Sequence, residues 1–238
     1  MSSRILISIL TILFACSSKE KSVQQDVVED SPIAVVDSIK TSISEEKQEK
    51  PKSQILADTS FVNIKDYSSD FAFDMRYATS NNFLDTVVYD CENCLMRYAV
   101  ARALIKANDS LMQRGYRIKF FDCFRPVEVQ FKMWEIYPDA RYVANPNKSG
   151  SVHNKGAALD ITIEGLNGEP VDMGTEFDHF GEEAHHAYTG FSEQVLNNRK
   201  ILKGIMEHFG FNSIRTEWWH YNFGGNSRYS ISDQPLCE

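Results

Sequence analysis

The chain has 238 residues, of which 42% are hydrophobic and 24% charged, and a formal net charge of −8. That length and composition allow one domain with its own apolar core. The acidic balance, with no basic stripe to neutralise phosphates, excludes a nucleic-acid partner.

In chain order, Arg4 precedes an apolar run over residues 5–14 that stops at Ala15-Cys16. A charged start, a short apolar core and a small residue before the cut describe a secretory signal over residues 1–15. The run is too short to span a bilayer as a stable helix. Leu13-Phe14-Ala15-Cys16 resembles a bacterial lipobox, so Cys16 is expected to be lipidated. The chain is then an exported bacterial lipoprotein, membrane-anchored and periplasmic or at the cell surface. An ordinary signal peptide with a chance cysteine is the plainer alternative. Residues 17–60 contain no Phe, Tyr or Trp and are rich in Ser, Lys, Glu, Asp and Gln. Such a stretch cannot bury enough apolar surface to offset chain entropy, so residues 16–60 are expected to form a disordered tether. The globular part, 61–238, holds every tyrosine and tryptophan.

Val100, Ala103, Leu104, Ala107 and Leu111 recur at helical spacing, predicting a helix from about residue 95 that Gly115 closes. A second helix is expected from Pro126, a residue suited to a first turn, with Val127, Phe131 and Trp134 facing inward. A third follows Ser192 as N-cap, with Ile201, Leu202, Ile205, Met206 and Phe209 inward and Gly210 at its end. Strands are expected at 116–122, 157–163 and about 217–222. Helices and strands do not alternate regularly, so the fold class is α+β, a mostly antiparallel central sheet flanked by helices. The turn Asn167-Gly168-Glu169-Pro170 and residues 173–186 read as an insertion beside the cleft.

Chemistry concentrates in two segments, Ser151-Val-His153-Asn-Lys-Gly156-Ala-Ala-Leu-Asp160 and Glu217-Trp-Trp-His220. His153, Asp160 and His220 could hold one Zn²⁺ per chain and leave a fourth position open, as a catalytic zinc requires. Glu217, three residues before the last ligand, is within reach of a zinc-bound water and suits proton transfer. In a regular strand residues three apart face opposite sides, so Glu217 is placed in the loop before the strand. Each residue also has a plainer reading: a hydrogen-bonded buried histidine, or a surface carboxylate beside a strand. Arg125, at the corner Phe121-Asp-Cys-Phe-Arg125-Pro126, could stabilise an oxyanion, although spacing alone favours a surface or salt-bridged arginine.

These segments together resemble the zinc D-alanyl-D-alanine dipeptidases of the VanX type, within a wider group of D,D-peptidases acting on cell-wall peptides. The likeness covers residues 77–221. It includes Tyr77-Ala-Thr-Ser-Asn-Asn82-Phe83 at the start and Met173-Gly-Thr-Glu-Phe-Asp178 in the middle. The resemblance implies a hedgehog/D,D-peptidase-like zinc peptidase in which His153, Asp160 and His220 bind zinc. It makes Glu217 general base and later proton donor, and Arg125 the oxyanion stabiliser. Asp178 would bind the free amino group of a D-Ala-D-Ala dipeptide, with Tyr77 and Ser151 beside it. His185 and His186, adjacent and diverging, are read as supports of the Asp178 loop and not as ligands. The corner Asp-Cys-Phe-Arg-Pro and the Cys91-Glu-Asn-Cys94 segment depart from the family pattern. Two rival functions share these residues: a D,D-carboxypeptidase or endopeptidase on peptidoglycan peptides, and a non-catalytic lipoprotein that binds cell-wall peptides.

Without Cys16, the chain keeps Cys91, Cys94, Cys123 and Cys237, an even number that suggests two disulfides in an exported domain. Three pairings are open, and a redox pair or half a zinc site is the alternative for Cys91-x-x-Cys94. We expect Cys123 to be tied to the Cys91/Cys94 segment, bracing the Arg125 corner.

Overall fold

The computed structural model describes residues 56–237. The expected signal peptide, the expected lipidation site Cys16 and most of the expected tether lie outside the described residues. Three short strands come first: β1 (Phe61–Asn63), β2 (Ala72–Phe73) and β3 (Leu95–Arg97). β1 and β3 pair antiparallel as a ribbon of their own. The first helix, α1 (Tyr98–Met112), starts later than its apolar periodicity suggests. Leu95–Arg97 is extended instead, because its backbone is already committed elsewhere. Phe124 N–H bonds to the Leu95 carbonyl at 2.9 Å and Arg97 N–H to the Gly156 carbonyl at 3.0 Å. α1 buries Val100, Ala101, Leu104, Ala107 and Leu111. The buried Asn108 ties α1 to the next strand, its Oδ1 accepting from Ile118 N–H at 2.8 Å.

That strand, β4 (Tyr116–Asp122), leads into α2 (Val127–Ile136) through Pro126, which stands just before the helix and not inside it. The inward face of α2 is Val129, Gln130 and Met133, while Phe131 is 39% exposed, contrary to the expected 127/131/134 stripe. A polar tie decides the rotation. Gln130 Oε1 accepts from Arg125 Nη1 at 3.0 Å and its Nε2 donates to the Ala144 carbonyl at 2.8 Å. A fully buried amide needs such partners, and meeting that need outweighs covering one phenyl ring.

The rest is β5 (Ala158–Gly165), α3 (Glu193–His208), β6 (Phe211–Ser213) and β7 (His220–Phe223). Ser192 caps α3 as expected, its Oγ accepting from Val195 N–H at 3.3 Å. The main sheet has five strands in the order β2-β4-β5-β7-β6. Only the two-residue β2–β4 pair is parallel, so the sheet is mostly antiparallel, as the sequence implies. Register puts Ile118 opposite Ile163, Phe120 opposite Ile161, and Tyr221 opposite Leu159, which makes one face an apolar row. α3 packs on β6 and α1, and its Leu202, Ile205 and Met206 share one core with this row.

Residues 166–191 cross the other face with no long element. Asn198 Nδ2 donates to the Asp172 carbonyl at 2.8 Å, and Arg199 donates to the Met173 and Glu183 carbonyls at 2.6 and 2.8 Å. These two residues of α3 hold the insertion together with Trp218, whose Nε1 donates to Thr175 Oγ1 at 2.8 Å, and the His185 ring adds an Nδ1 contact to Arg215 Nη1 at 3.5 Å. His186 contributes its N–H to the Arg215 carbonyl, and burial lowers its imidazole to a pKa of about 4.

Two disulfides close the domain, Cys94–Cys123 and Cys91–Cys237. Cys123 is joined to the Cys91/Cys94 segment, as expected. Cys91 and Cys94 are not paired with each other, which removes the redox-pair alternative.

Candidate metal centre and active site

Asp122, Asp160 and His220 stand in one row across three neighbouring strands. Asp122 lies opposite Asp160 and Asp160 opposite His220. A register shift between Phe120 and Asp122 turns the end of β4 so that Asp122 joins the row. His153 arrives from a separate 3₁₀ turn, Val152–Lys155, capped by Ser151. Ser151 Oγ accepts from His153 N–H at 3.2 Å, and Ser151 N–H donates to Asn154 Oδ1 at 2.7 Å. Gly156 ends the turn at φ +68°, and a Cβ there would lie 2.4 Å from Phe61 Cε1. Only glycine meets both demands.

The side chains of His153, Asp160 and His220 converge. His153 Nε2 lies 3.2 Å from His220 Nδ1 and 3.4 Å from Asp160 Oδ1, and His220 Nδ1 lies 3.0 Å from Asp160 Oδ1. Donors bound to one zinc at about 2.0–2.1 Å in tetrahedral directions sit about 3.3 Å apart, so these separations fit a single ion. The tautomers fit as well. His153 Nδ1–H donates to the Cys123 carbonyl at 2.7 Å, leaving Nε2 free to coordinate. His220 Nε2–H donates to Asn222 Oδ1 at 3.1 Å, leaving Nδ1 free. Hydrogen bonds of this kind orient metal-binding histidines and set which nitrogen carries the lone pair. Among the described residues this is the cluster able to grip a metal ion.

Glu217 lies in the loop before β7, as its spacing from His220 required. Its Oε2 is 3.9 Å from His220 Nδ1. Burial raises the Glu217 pKa, against the pull of His220. Arg125 is held by Asp122, which accepts from Nε at 3.1 Å and from Nη2 at 2.6 Å. With Gln130 taking one Nη1 hydrogen, a hydrogen on each of Nη1 and Nη2 is left from the five that a guanidinium carries. Asp122 also accepts from Tyr89 Oη at 2.6 Å and lies 3.5 Å from His153 Nδ1. It therefore joins the arginine to the metal cluster. Asp178 sits at φ +59°, a left-handed backbone that Asp tolerates better than most residues. Its Oδ2 accepts from Tyr77 Oη at 2.9 Å. Burial, reinforced by the Asp160 charge, raises its pKa well above the carboxylate range.

All eight residues singled out from the sequence line one cavity of about 200 Å³: Tyr77, Arg125, Ser151, His153, Asp160, Asp178, Glu217 and His220. Four supporting residues escaped sequence reasoning: Tyr89, Asp122, Gln130 and Asn222. Asn222 carried a signal, since two residues after His220 on a strand is the same face. Asp122 carried one too, three residues before Arg125.

A family model described as D-ala-D-ala dipeptidase (Peptidase_M15) matches residues 57–237. The D-alanyl-D-alanine dipeptidase of Escherichia coli (strain K12) is 29% identical over 180 residues, covering 75% of this chain and 93% of its own. That of Enterococcus faecium is 34% identical over 169 residues, covering 63% of this chain and 84% of its own. The solved structure of VanYB in complex with D-alanine-D-alanine is 17% identical, covers 59% of this chain and 81% of its own, and has a TM-score of 0.37. The chain belongs to the D-Ala-D-Ala dipeptidase family of peptidases.

Proposed function

We propose that this protein is an exported zinc peptidase that hydrolyses free D-Ala-D-Ala to D-alanine and so serves cell-wall peptide metabolism. The observation that carries this reading is the convergence of three ligand atoms beside Glu217, Arg125 and Asp178 in one small cavity. Its 200 Å³ falls below the roughly 300–1,000 Å³ of ordinary ligand pockets, which suits a dipeptide.

His153, Asp160 and His220 would hold the zinc, which supplies the Lewis acidity that lowers a water's pKa and polarises the scissile carbonyl. Glu217 accepts the proton of the attacking water. Its raised pKa makes it a better base than an exposed glutamate and lets it pass that proton to the leaving amine. The two free hydrogens of Arg125 stabilise the negative charge that grows on the carbonyl oxygen as the water adds to the carbonyl carbon, before the C–N bond breaks. Asp178 binds the substrate ammonium. The ammonium offsets the burial and repulsion that raise this carboxyl's pKa, and Tyr77 holds the carboxyl in place. Substrates with a blocked amino terminus are therefore poor ones.

A lipid on Cys16 and a tether over 16–60 would hold this domain at a membrane. The lipobox-like Leu13–Cys16 supports that placement, as do two disulfides, which form in exported proteins. Cys16→Ser should move the protein from the membrane to the soluble fraction.

One feature favours a second reading, a carboxypeptidase acting on longer peptides. A space of about 410 Å³, lined in part by Arg141, Tyr142, Phe180, Arg215 and Glu217, adjoins the cavity and extends the cleft. One assay decides between the two. D-alanine release is measured from D-Ala-D-Ala, from N-acetyl-D-Ala-D-Ala and from a muropeptide ending in D-Ala-D-Ala, before and after chelation. The dipeptidase reading expects zinc-dependent release from the free dipeptide alone. Equal or better release from the blocked substrates overturns it in favour of the carboxypeptidase, and full activity in metal-free protein overturns both.

A further inference from the structure

The Cys94–Cys123 bridge lies inside the active-site scaffold. Both cysteines are fully buried. Cys123 follows the last residue of β4, beyond the reach of the sheet's regular hydrogen bonds. Both of its backbone groups serve the site nonetheless. Its carbonyl accepts His153 Nδ1–H at 2.7 Å, and its N–H donates to Asp122 Oδ1 at 2.9 Å. Asp122 in turn holds Arg125. With no sheet ladder to orient this peptide unit, the disulfide to Cys94 and the bond from Phe124 N–H to the Leu95 carbonyl at 2.9 Å tie it to the Cys94-Leu95 segment. Two residues on, Arg125 N–H bonds to the His153 carbonyl at 3.2 Å and the Arg125 carbonyl accepts from Asn154 Nδ2 at 2.8 Å.

We propose that the Cys94–Cys123 disulfide is a positioning element of the metal centre. It fixes the carbonyl that aims His153 Nε2 at the metal, and it fixes the carboxylate that holds Arg125. This rests on the zinc reading above. Without the bridge only the bond from Phe124 N–H still ties that peptide unit to the Cys94-Leu95 segment, so the aim of His153 and the position of Asp122 with Arg125 loosen. The other bridge, Cys91–Cys237, is the control. It ties down the C-terminal strap, which meets the His153 turn through the bond from Ser232 N–H to the Asn154 carbonyl and through Arg97, which donates to the Ser230 and Lys155 carbonyls.

The chain entropy of the two bridges makes the test decisive. Cys91–Cys237 closes 146 residues and Cys94–Cys123 only 29, so loss of the former should cost more stability. Two double variants are compared with the wild type, Cys94→Ala with Cys123→Ala, and Cys91→Ala with Cys237→Ala. Alanine leaves no thiol to compete for metal. Measured are zinc affinity by chelator competition, the cobalt(II) ligand-field spectrum, kcat, KM and Tm.

The Cys94/Cys123 variant should bind zinc about 10–100-fold more weakly, show an altered cobalt spectrum and lose kcat with KM little changed. The Cys91/Cys237 variant should lose the larger share of Tm and keep wild-type zinc affinity and cobalt spectrum. If the Cys94/Cys123 variant does not fold, reduction of the Cys91/Cys237 variant, which retains the bridge in question, followed by alkylation of the two freed thiols and removal of the reductant, gives the same readings while circular dichroism reports folded protein. Unchanged zinc affinity and cobalt spectrum without the Cys94–Cys123 bridge overturn the proposal, as does a loss of affinity that merely tracks Tm in both variants. A wild type that binds no zinc overturns the function itself, a separate result.

Discussion

β5 carries two rows of side chains that are equally buried and do opposite work. Leu159, Ile161 and Ile163 point into the apolar core, while Asp160, Thr162 and Glu164 point to the face that holds the metal cluster. The apolar row stabilises the fold by leaving water, at roughly 1.5–3 kcal/mol for each fully buried side chain. The polar row has no such gain and persists only because its charges are partnered, Asp160 by His153 and His220, and Glu164 by Arg117 and Lys119. A buried ion pair is weak evidence for stability, and of this row Asp160 alone lines the metal cavity. The lesson is that burial alone does not separate core from site on this sheet. The alternation of residue type along a strand buried on both faces does.

Substitutions on the two rows should therefore separate activity from stability. The largest effect on the site is expected from His153→Ala, which removes a ligand and should take bound zinc and turnover to background while far-UV circular dichroism stays native. Metal analysis of the purified variant checks it. Glu217→Gln comes next. It should keep its zinc and lose on the order of 10²–10⁴ in kcat. Near wild-type turnover in that variant would remove Glu217 from the mechanism.

The third effect is a pH dependence of metal binding. Burial disfavours the charged His220 ring, but the Asp160 hydrogen bond and charge outweigh it and push the pKa up to about 9. Because that value is raised, metal-stripped protein draws stability from the protonated ring that is fully present below about pH 6.5 and lost as the pH rises through about 9. Zinc must displace the same proton, so its affinity should climb by up to about tenfold per pH unit until the ring's pKa is passed. Chelator competition from about pH 6 to 10 measures the slope, and a flat profile would contradict the coupling. The smallest effect on the site belongs to the other row. Ile161→Ala, between Asp160 and Thr162, should cost about 2–5 kcal/mol in urea unfolding and change kcat/KM by less than about threefold. A collapse of kcat/KM in folded Ile161→Ala protein would mean that the two rows are not independent.

Much of the fold was legible because its signals are local. The stripe from Val100 to Leu111 announces α1, Ser192 and Gly210 bracket α3, and strand-like runs mark β4, β5 and β7. Two features were not legible. The start of α1 depends on backbone bonds from Phe124 and Arg97 that commit residues 95–97 to a strand. The rotation of α2 depends on Gln130 meeting Arg125 and the Ala144 carbonyl. Phe124, Gly156 and Ala144 lie too far along the chain from the elements they fix for a periodicity argument to include them. The supports of the site were legible only in part, since Asp122 and Asn222 stand near Arg125 and His220 while Tyr89 and His153 reach Asp122 from far along the chain. Asp122 matters because of what Tyr89, Arg125 and His153 bring to it, and Cys123 because its carbonyl, and not its side chain, faces His153.

By itself, the sequence determined the candidate donor types and their local frames: two imidazoles and a carboxylate, and a candidate base three residues before the last of them. Only the tertiary structure decided that residues 122, 160 and 220 stand in one row, that Cys94 is the partner of Cys123, and that a carbonyl and an amide choose the histidine tautomers. The physical reason is range. Backbone preference and side-chain chemistry act within a few residues along the chain. Strand order and register, which put β5 between β4 and β7, bring together groups that lie dozens of residues apart.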